Sequence, residues 1–148
     1  MTIRAVAYTD PLVAPLLAGL ADEYLARYGP YDLLSDTDPA QFDPPDGTFV
    51  VVLDDGVTVA GGGLRRVDAA TAEVKRMWTA PHRRREGLAD QVLSALERTA
   101  RLRGYTRLVL ETGRAQPEAA ALYRAHGYRA APVFGPHDDA LAFERPLP

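Results

Sequence analysis

The chain has 148 residues, 47% of them apolar and 25% charged, with a formal net charge of −3. This make-up suits one globular domain, 1–148, with a core of ordinary size, and its acidic balance argues against nucleic acid or a membrane surface as partner while allowing a local basic pocket. There is no cysteine, which excludes a disulfide framework, a thiolate nucleophile and a Cys-held zinc site.

The first residues, MTIRAVAYTD, lack the apolar core of a secretion signal, and no run approaches a membrane span, so a cytoplasmic protein is expected. TIRAVAY, 2–8, alternates and predicts a strand. Asp10 before Pro11 marks a helix start, and Leu12, Leu16, Leu17, Leu20 and Tyr24 give that helix an apolar stripe. Residues 29–47 carry Pro30, Pro39, Pro44 and Pro45 and end in Asp46-Gly47, a loop with room for a short helix after Ser35. In TFVVVLDDGVTVAGGGLRRV two apolar runs flank Asp54-Asp55-Gly56, which predicts a hairpin. AEVKRMWTA, 72–80, alternates as a further strand. Val92, Leu93, Leu96 and Ala100 set a helix from Ala89 to Gly104. TRLVLET, 106–112, is an apolar strand, Pro117 to His126 a helix closed by Gly127, and ALAFERPL the last strand. The strand–helix–strand succession implies a parallel pair in the second half, and the hairpin an antiparallel first half. The fold class is therefore α/β, a mixed sheet with helices on its faces.

The stretch PHRRREGLADQVL, 81–93, connects a strand to a helix. Backbone N–H groups at a helix N-terminus favour an anion, Gly87 lets the backbone approach it, and Ala89 keeps the next position small. Arg83, Arg84 and Arg85 surround the turn with charge whose planar fork suits a phosphate. A solvated basic turn is the plainer alternative. No G-x-x-x-x-G-K-[ST] or G-x-G-x-x-G occurs, and Gly61-Gly62-Gly63 sits inside a strand pattern, where it serves a bulge or a close approach.

Arg84-x-x-Gly87-x-Ala89 resembles the [Q/R]-x-x-G-x-[G/A] signature of the GNAT family of N-acetyltransferases, and QPEAAALYRAHGY, 116–128, resembles that family's second motif. The element order is similar too, over most of the chain. The resemblance implies a central mixed sheet of about six or seven strands with about four helices. It implies acetyl-CoA as cosubstrate, with its pyrophosphate on the loop Arg84, Arg85, Glu86, Gly87, Leu88 and Ala89, and its pantetheine arm along Met77, Trp78 and Thr79. By alternation, at most one of the side chains of Met77 and Trp78 lines the acyl pocket. Gln116 stands seven residues before Tyr123, where the family often has Asn.

Acetyl transfer to an amine needs a deprotonated amine, donors for the developing oxyanion and a proton for the departing thiolate. With no cysteine, and with Ser35 and Ser94 outside any G-x-S-x-G setting, direct attack in a ternary complex is the remaining route. By resemblance Tyr123 is the proton donor, a phenol protonated at neutral pH. Glu73 stands eleven residues before Arg84, the offset of a catalytic glutamate in some family members, and is the candidate base; pairing with Lys75 across a turn or a neighbouring strand is its structural alternative. His82, His126 and His137 share no ligand spacing, so no metal is expected.

In this fold the first helix and the loop after it form the acceptor wall. Here they carry Asp22, Glu23, Tyr24, Tyr28, Tyr31, Asp32, Asp36 and Asp38, a wall suited to a cationic amine or, more plainly, a solvated acidic face. Glu111 is a further candidate contact, with capping or a salt bridge as its alternative. FGPHDDALAF is read as a pocket edge or a homodimer contact. The acceptor is expected to be a small-molecule or peptide amine. A non-catalytic acyl-CoA-binding module of the same fold is the alternative reading.

Overall fold

The hairpin forms as expected: β2 (Thr48–Asp54) and β3 (Val57–Arg66) pair antiparallel across Asp55-Gly56, both with positive φ, 51° and 78°. Alternation in β2 splits its apolar run between two cores. Val50 and Val52 face one cluster; Phe49, Val51 and Leu53 face the other. The computed structural model describes residues 1–29, 37–114, 116–135 and 140–148.

Seven strands make one sheet in the order β1-β2-β3-β4-β5-β7-β6. β1 (Thr2–Ala5), β4 (Thr71–Thr79), β5 (Arg107–Thr112), β6 (Arg129–Ala131) and β7 (Leu141–Pro146) complete it. All pairs are antiparallel except β4 with β5, the pair spanned by a crossover helix, as the strand–helix–strand order implied. β1 is shorter than the alternation of TIRAVAY suggested; after Ala5 only Val6 bonds across, its N–H to the Phe49 carbonyl. β6 was not expected at all, being an edge strand of three residues with no apolar alternation.

Three α-helices lie among the described residues, one fewer than expected, with 3-10 turns elsewhere. A turn at Pro11–Val13, capped by the Asp10 carboxylate on the Leu12 N–H at 2.8 Å, leads into α1 (Ala14–Tyr28). Another, Pro39–Phe42, is capped by Asp38 and stands in place of a helix after Ser35. α1 buries Leu16 and Leu20 against Phe42, Phe49 and Trp78 on one face of the sheet. α2 (Leu88–Leu102) and α3 (Pro117–Ala125) cover the other face with Val92, Leu93, Leu96, Ala120 and Tyr123.

β4 departs from plain alternation. Gly61 pairs with Trp78 but Gly63 with Lys75, so β4 carries one extra residue, a bulge at Arg76 with φ 63°. Before it, Ala72 and Val74 face α2 while Glu73 and Lys75 face the α1 side. After it, Met77 packs on the α2 core and Trp78 on the α1 core. The adjacent glycines of β3 make room: a Cβ on Gly62 would lie 2.6 Å from the Met77 sulfur, and one on Gly63 2.7 Å from Phe42 and Phe49. In α1, a Cβ on Gly19 would lie 2.3 Å from the Trp78 indole nitrogen.

The α1–β4 seam thus depends on the absence of a side chain at position 19. Gly19→Ala should lower unfolding free energy by about 1–3 kcal/mol through overpacking, although alanine is the better helix former. Urea unfolding checks this; a stability equal to or above the parent's would contradict the packing.

Candidate active site

β4 and β5 are paired only from Thr71–Arg107 to Glu73–Val109. Beyond Glu73 no strand among the described residues bonds to β4 on its β5 side, so the sheet opens where both strands run toward their C-terminal ends. A cleft of about 600 Å³ fills the opening, a size usual for a ligand site. Met77, Trp78 and Thr79 of β4 line one wall, the turn into α2 lines the next, and Gln116, the N-cap of α3, with Ala119, Leu122 and Tyr123 of that helix closes the third. Both Met77 and Trp78 border it, although they point to opposite faces, because the cleft runs through the sheet.

The turn is built around two left-handed residues, Arg85 at φ 67° and Gly87 at φ 78°. Gly87 is the N-cap of α2 and has no side chain to cap it. The first helical bond runs from the Gln91 N–H to the Gly87 carbonyl at 3.1 Å, so the Leu88, Ala89 and Asp90 N–H groups precede the helical ladder. Two of these residues, Leu88 and Ala89, are apolar, and all three line the cleft. Such an uncapped first turn suits an anion.

The three arginines divide their work. Arg83 holds both Glu86 oxygens (Nε to Oε1 3.1 Å and to Oε2 2.9 Å) and Asp54 (NH1 to Oδ2 2.7 Å), fixing the turn to the end of β2. Glu86 is therefore a brace for Arg83 and does not line the cleft. Arg84 is bonded to Glu23 of α1 across the cleft mouth, and Arg27 to Glu118 of α3 at 2.6 Å. Glu23 thus borders the cleft paired with Arg84 of the turn before α2. Arg85 is exposed and borders the cleft.

Tyr123 is buried on α3, its ring 5.8 Å from Tyr128 and 6.1 Å from Phe143. Burial pushes its hydroxyl far above the ordinary phenol range, and the neighbouring Tyr24 adds a smaller push, so it keeps its proton at any working pH. Gln116 accepts from the Thr112 hydroxyl at 3.0 Å. His126 ends α3 and links it to α2, its Nε2 2.8 Å from Asp90 and its Nδ1 3.5 Å from Glu97.

Glu73 does not line the cleft. It is buried, and both contacts of its Arg65 neighbour fall on Oε1: Nε at 2.8 Å and NH2 at 2.7 Å. The partner lies across the strand on β3, where Lys75 is two residues along the same strand. Glu111 accepts from the Phe134 and Gly135 N–H groups at 3.2 and 3.1 Å, a loop anchor. The Tyr24 and Tyr28 rings lie 6.2 Å apart, tilted by 58°, on the α1 side. Asp22 is exposed and Asp38 caps its turn, while Tyr31, Asp32, Asp36, Asp138 and Asp139 lie outside the described residues. Sequence reading missed Ala119 and Leu122, which helical spacing from Tyr123 would have supplied, and Arg27, whose bond to Glu118 joins distant segments.

The sequence model of the acetyltransferase (GNAT) family matches residues 16–128. The chain belongs to that family. Among GNAT relatives, the IAA acetyltransferase of Azospirillum brasilense is 34% identical over 131 residues, 85% of each chain. A candidate acyl-CoA N-acyltransferase of Klebsiella pneumoniae is 30% identical with a TM-score of 0.81, covering 99% of this chain and 97% of its own. A GNAT acetyltransferase of Elizabethkingia anophelis, solved with acetyl-CoA bound, shares the fold at a TM-score of 0.69 and 18% identity, covering 99% and 97%.

Buried phenols make the fold sensitive to alkali. Tyr123, Tyr128 and Tyr24 are all raised above 10.0 chiefly by burial. Below that pH folded and unfolded chains are both protonated and this source of stability is full; above it the unfolded chain ionises first, so stability falls as pH climbs toward the folded values. In an alkaline titration, a fraction of the tyrosinate absorbance should appear only as the fold is lost. Ionisation of every tyrosine near pH 10 with the fold intact would contradict this.

Proposed function

We propose that the protein transfers an acetyl group from acetyl-CoA to a primary amine by direct attack in a ternary complex. The observation that carries the reading is the uncapped first turn of α2 facing the same cleft as the buried Tyr123, beside a stretch of β4 that has no strand partner on its β5 side among the described residues. That combination offers separate places for a diphosphate, an amide-bearing arm and a leaving sulfur. The acetyl-CoA-bound relative of this fold supports the cosubstrate.

Acetyl-CoA supplies the acetyl group as a thioester. The Leu88, Ala89 and Asp90 N–H groups bind the diphosphate, and Arg85 screens its charge. Arg84 exchanges Glu23 for the same anion; its exposed pair with Glu23 is worth little and gives way readily. Past Glu73, the β4 backbone bonds the pantetheine amides as another strand would and donates to the thioester carbonyl as negative charge develops there. The amine nitrogen forms its bond to the carbonyl carbon, the carbon–sulfur bond breaks, and Tyr123 gives its hydroxyl proton to the sulfur. Glu73 lies outside the cleft lining, fixed through Oε1 by Arg65, so its part as the base is to take the amine's proton at a distance, relayed by water. One proton leaves nitrogen and one reaches sulfur, so the exchange balances, and solvent returns a proton from Glu73 to Tyr123.

Removing the acid alone separates transfer from binding. Tyr123→Phe should lower kcat for acetyl transfer about 100-fold or more while the acetyl-CoA Kd stays within about twofold. Glu73→Gln should lower kcat at neutral pH and recover part of it as pH rises and free amine accumulates. Acetyl-CoA binding with a transfer rate untouched by Tyr123→Phe would overturn the assigned chemistry and leave a binding module.

A further inference from the structure

The cations of the cleft and its surroundings fall into two sets. Arg27, Arg65, Arg83 and Arg84 each hold a carboxylate. Lys75, Arg76 and Arg85 hold none among the described residues; Arg85 is exposed at the turn before α2, while Lys75 and Arg76 are half-buried. The β4 bulge turns these two consecutive residues to the α1 side, where an unbroken strand would send them to opposite faces. Arg76 is half-buried in a left-handed conformation, bonded to the Thr37 hydroxyl at 2.6 Å, and its Nε is buried with no partner. Lys75 is also half-buried. Its pKa is lowered mainly by burial, with Arg65 and Arg76 pushing the same way against Glu73 and Glu111. Those two carboxylates are committed elsewhere, to Arg65 and to the loop at Phe134 and Gly135.

Two adjacent, partly desolvated cations repel each other, and an anion between them relieves both. Their position says which anion. They lie past the last β4–β5 pair, on the opposite side of the opened sheet from α2 and the diphosphate turn. Arg76 directly precedes Met77 and Trp78, both of which line the cleft, so the pair stands next to the reacting centre along β4. Of the acids expected there from the sequence, Glu23 is on Arg84, Asp38 caps a turn and Asp22 is exposed, while Asp32 and Asp36 lie outside the described residues.

We propose that the amine acceptor also carries a carboxylate, and that Arg76 and Lys75 hold it while its amino group reaches the thioester. The proposal rests on the acetyltransferase reading of the cleft. A guanidinium fork matches a carboxylate through two parallel bonds, and the lysine adds a point charge, so the pair selects amino-acid-like acceptors over plain amines and polyamines.

The test is thiol release by the full chain at saturating acetyl-CoA with matched acceptors: each L-amino acid, its carboxamide and its decarboxylated amine. The best acid should exceed its own amide at least about tenfold in kcat/KM, the loss expected when a charge-assisted contact goes unmade. Arg76→Gln and Lys75→Gln should each shrink that ratio toward one while the acetyl-CoA Kd, read by calorimetry, is unchanged. Amides or plain amines used as well as the acids would overturn the proposal, and so would turnover of none of the acids by a protein that binds acetyl-CoA. A ratio unaffected by both substitutions would overturn the assignment to these residues. Failure to bind acetyl-CoA at all would instead show that the acetyltransferase reading had failed and taken this one with it.

Discussion

The parting of β4 from β5 is the constraint on which the rest depends. A parallel pair with a helical crossover is stable only where both strands continue to bond, and here bonding stops after Glu73 and Val109. Backbone groups past that point are left without a β5 partner among the described residues, the place proposed for an amide-bearing ligand arm. The parting also fixes what surrounds the gap. The crossover connection from β4 turns into α2 at the open end, so its uncapped first turn faces the gap, and α3 after β5 brings Tyr123 to the same place.

The bulge at Arg76 lies just past the parting and decides which side chains face which way. One extra residue lets Met77 complete the α2 core, seats Trp78 under α1 against Gly19, and turns Lys75 and Arg76 together toward the α1 side. The β3 glycines opposite are its complement, since side chains there would occupy the space taken by Met77, Phe42 and Phe49. A local departure from strand geometry thus links core packing to the chemistry of the site. The ion pairs across the cleft mouth, Glu23 with Arg84 and Arg27 with Glu118, keep the unliganded charges balanced. Being partly exposed, they add little stability and yield to a stronger anion.

Local signals carried most of the fold. The Asp55-Gly56 turn, the Asp10 cap before Pro11, and the glycines after α2 and α3 each act over a few residues, and each was legible. The turn before α2 was legible for the same reason: spacing alone places Gly87 at a helix start. The bulge was not, because AEVKRMWT reads as simple alternation until Gly61 and Gly63 of another strand show the slipped register. β6 escaped because three residues of an edge strand carry no pattern. The roles of Arg83, Arg84, Glu86 and Glu111 were beyond one-dimensional reading: each is set by a partner, some of them distant in sequence, that decides whether a charge is available or committed. Glu73 shows this most sharply, since its offset from Arg84 suggested a base and the structure adds an arginine across the strand.

The central claim is that the turn at Gly87 and the opened sheet hold acetyl-CoA. Thermal unfolding of the parent protein and of Gly87→Glu, with saturating acetyl-CoA, CoA, NADPH or ATP, tests it most directly. A ligand at about 100 times its Kd adds roughly 2.7 kcal/mol, a rise of about 5–10 °C for a domain of this size. The account predicts that rise with acetyl-CoA and CoA alone, and its loss in Gly87→Glu, which sets a carboxylate where the diphosphate binds. No rise with either CoA species, or an equal rise in the variant, would contradict it.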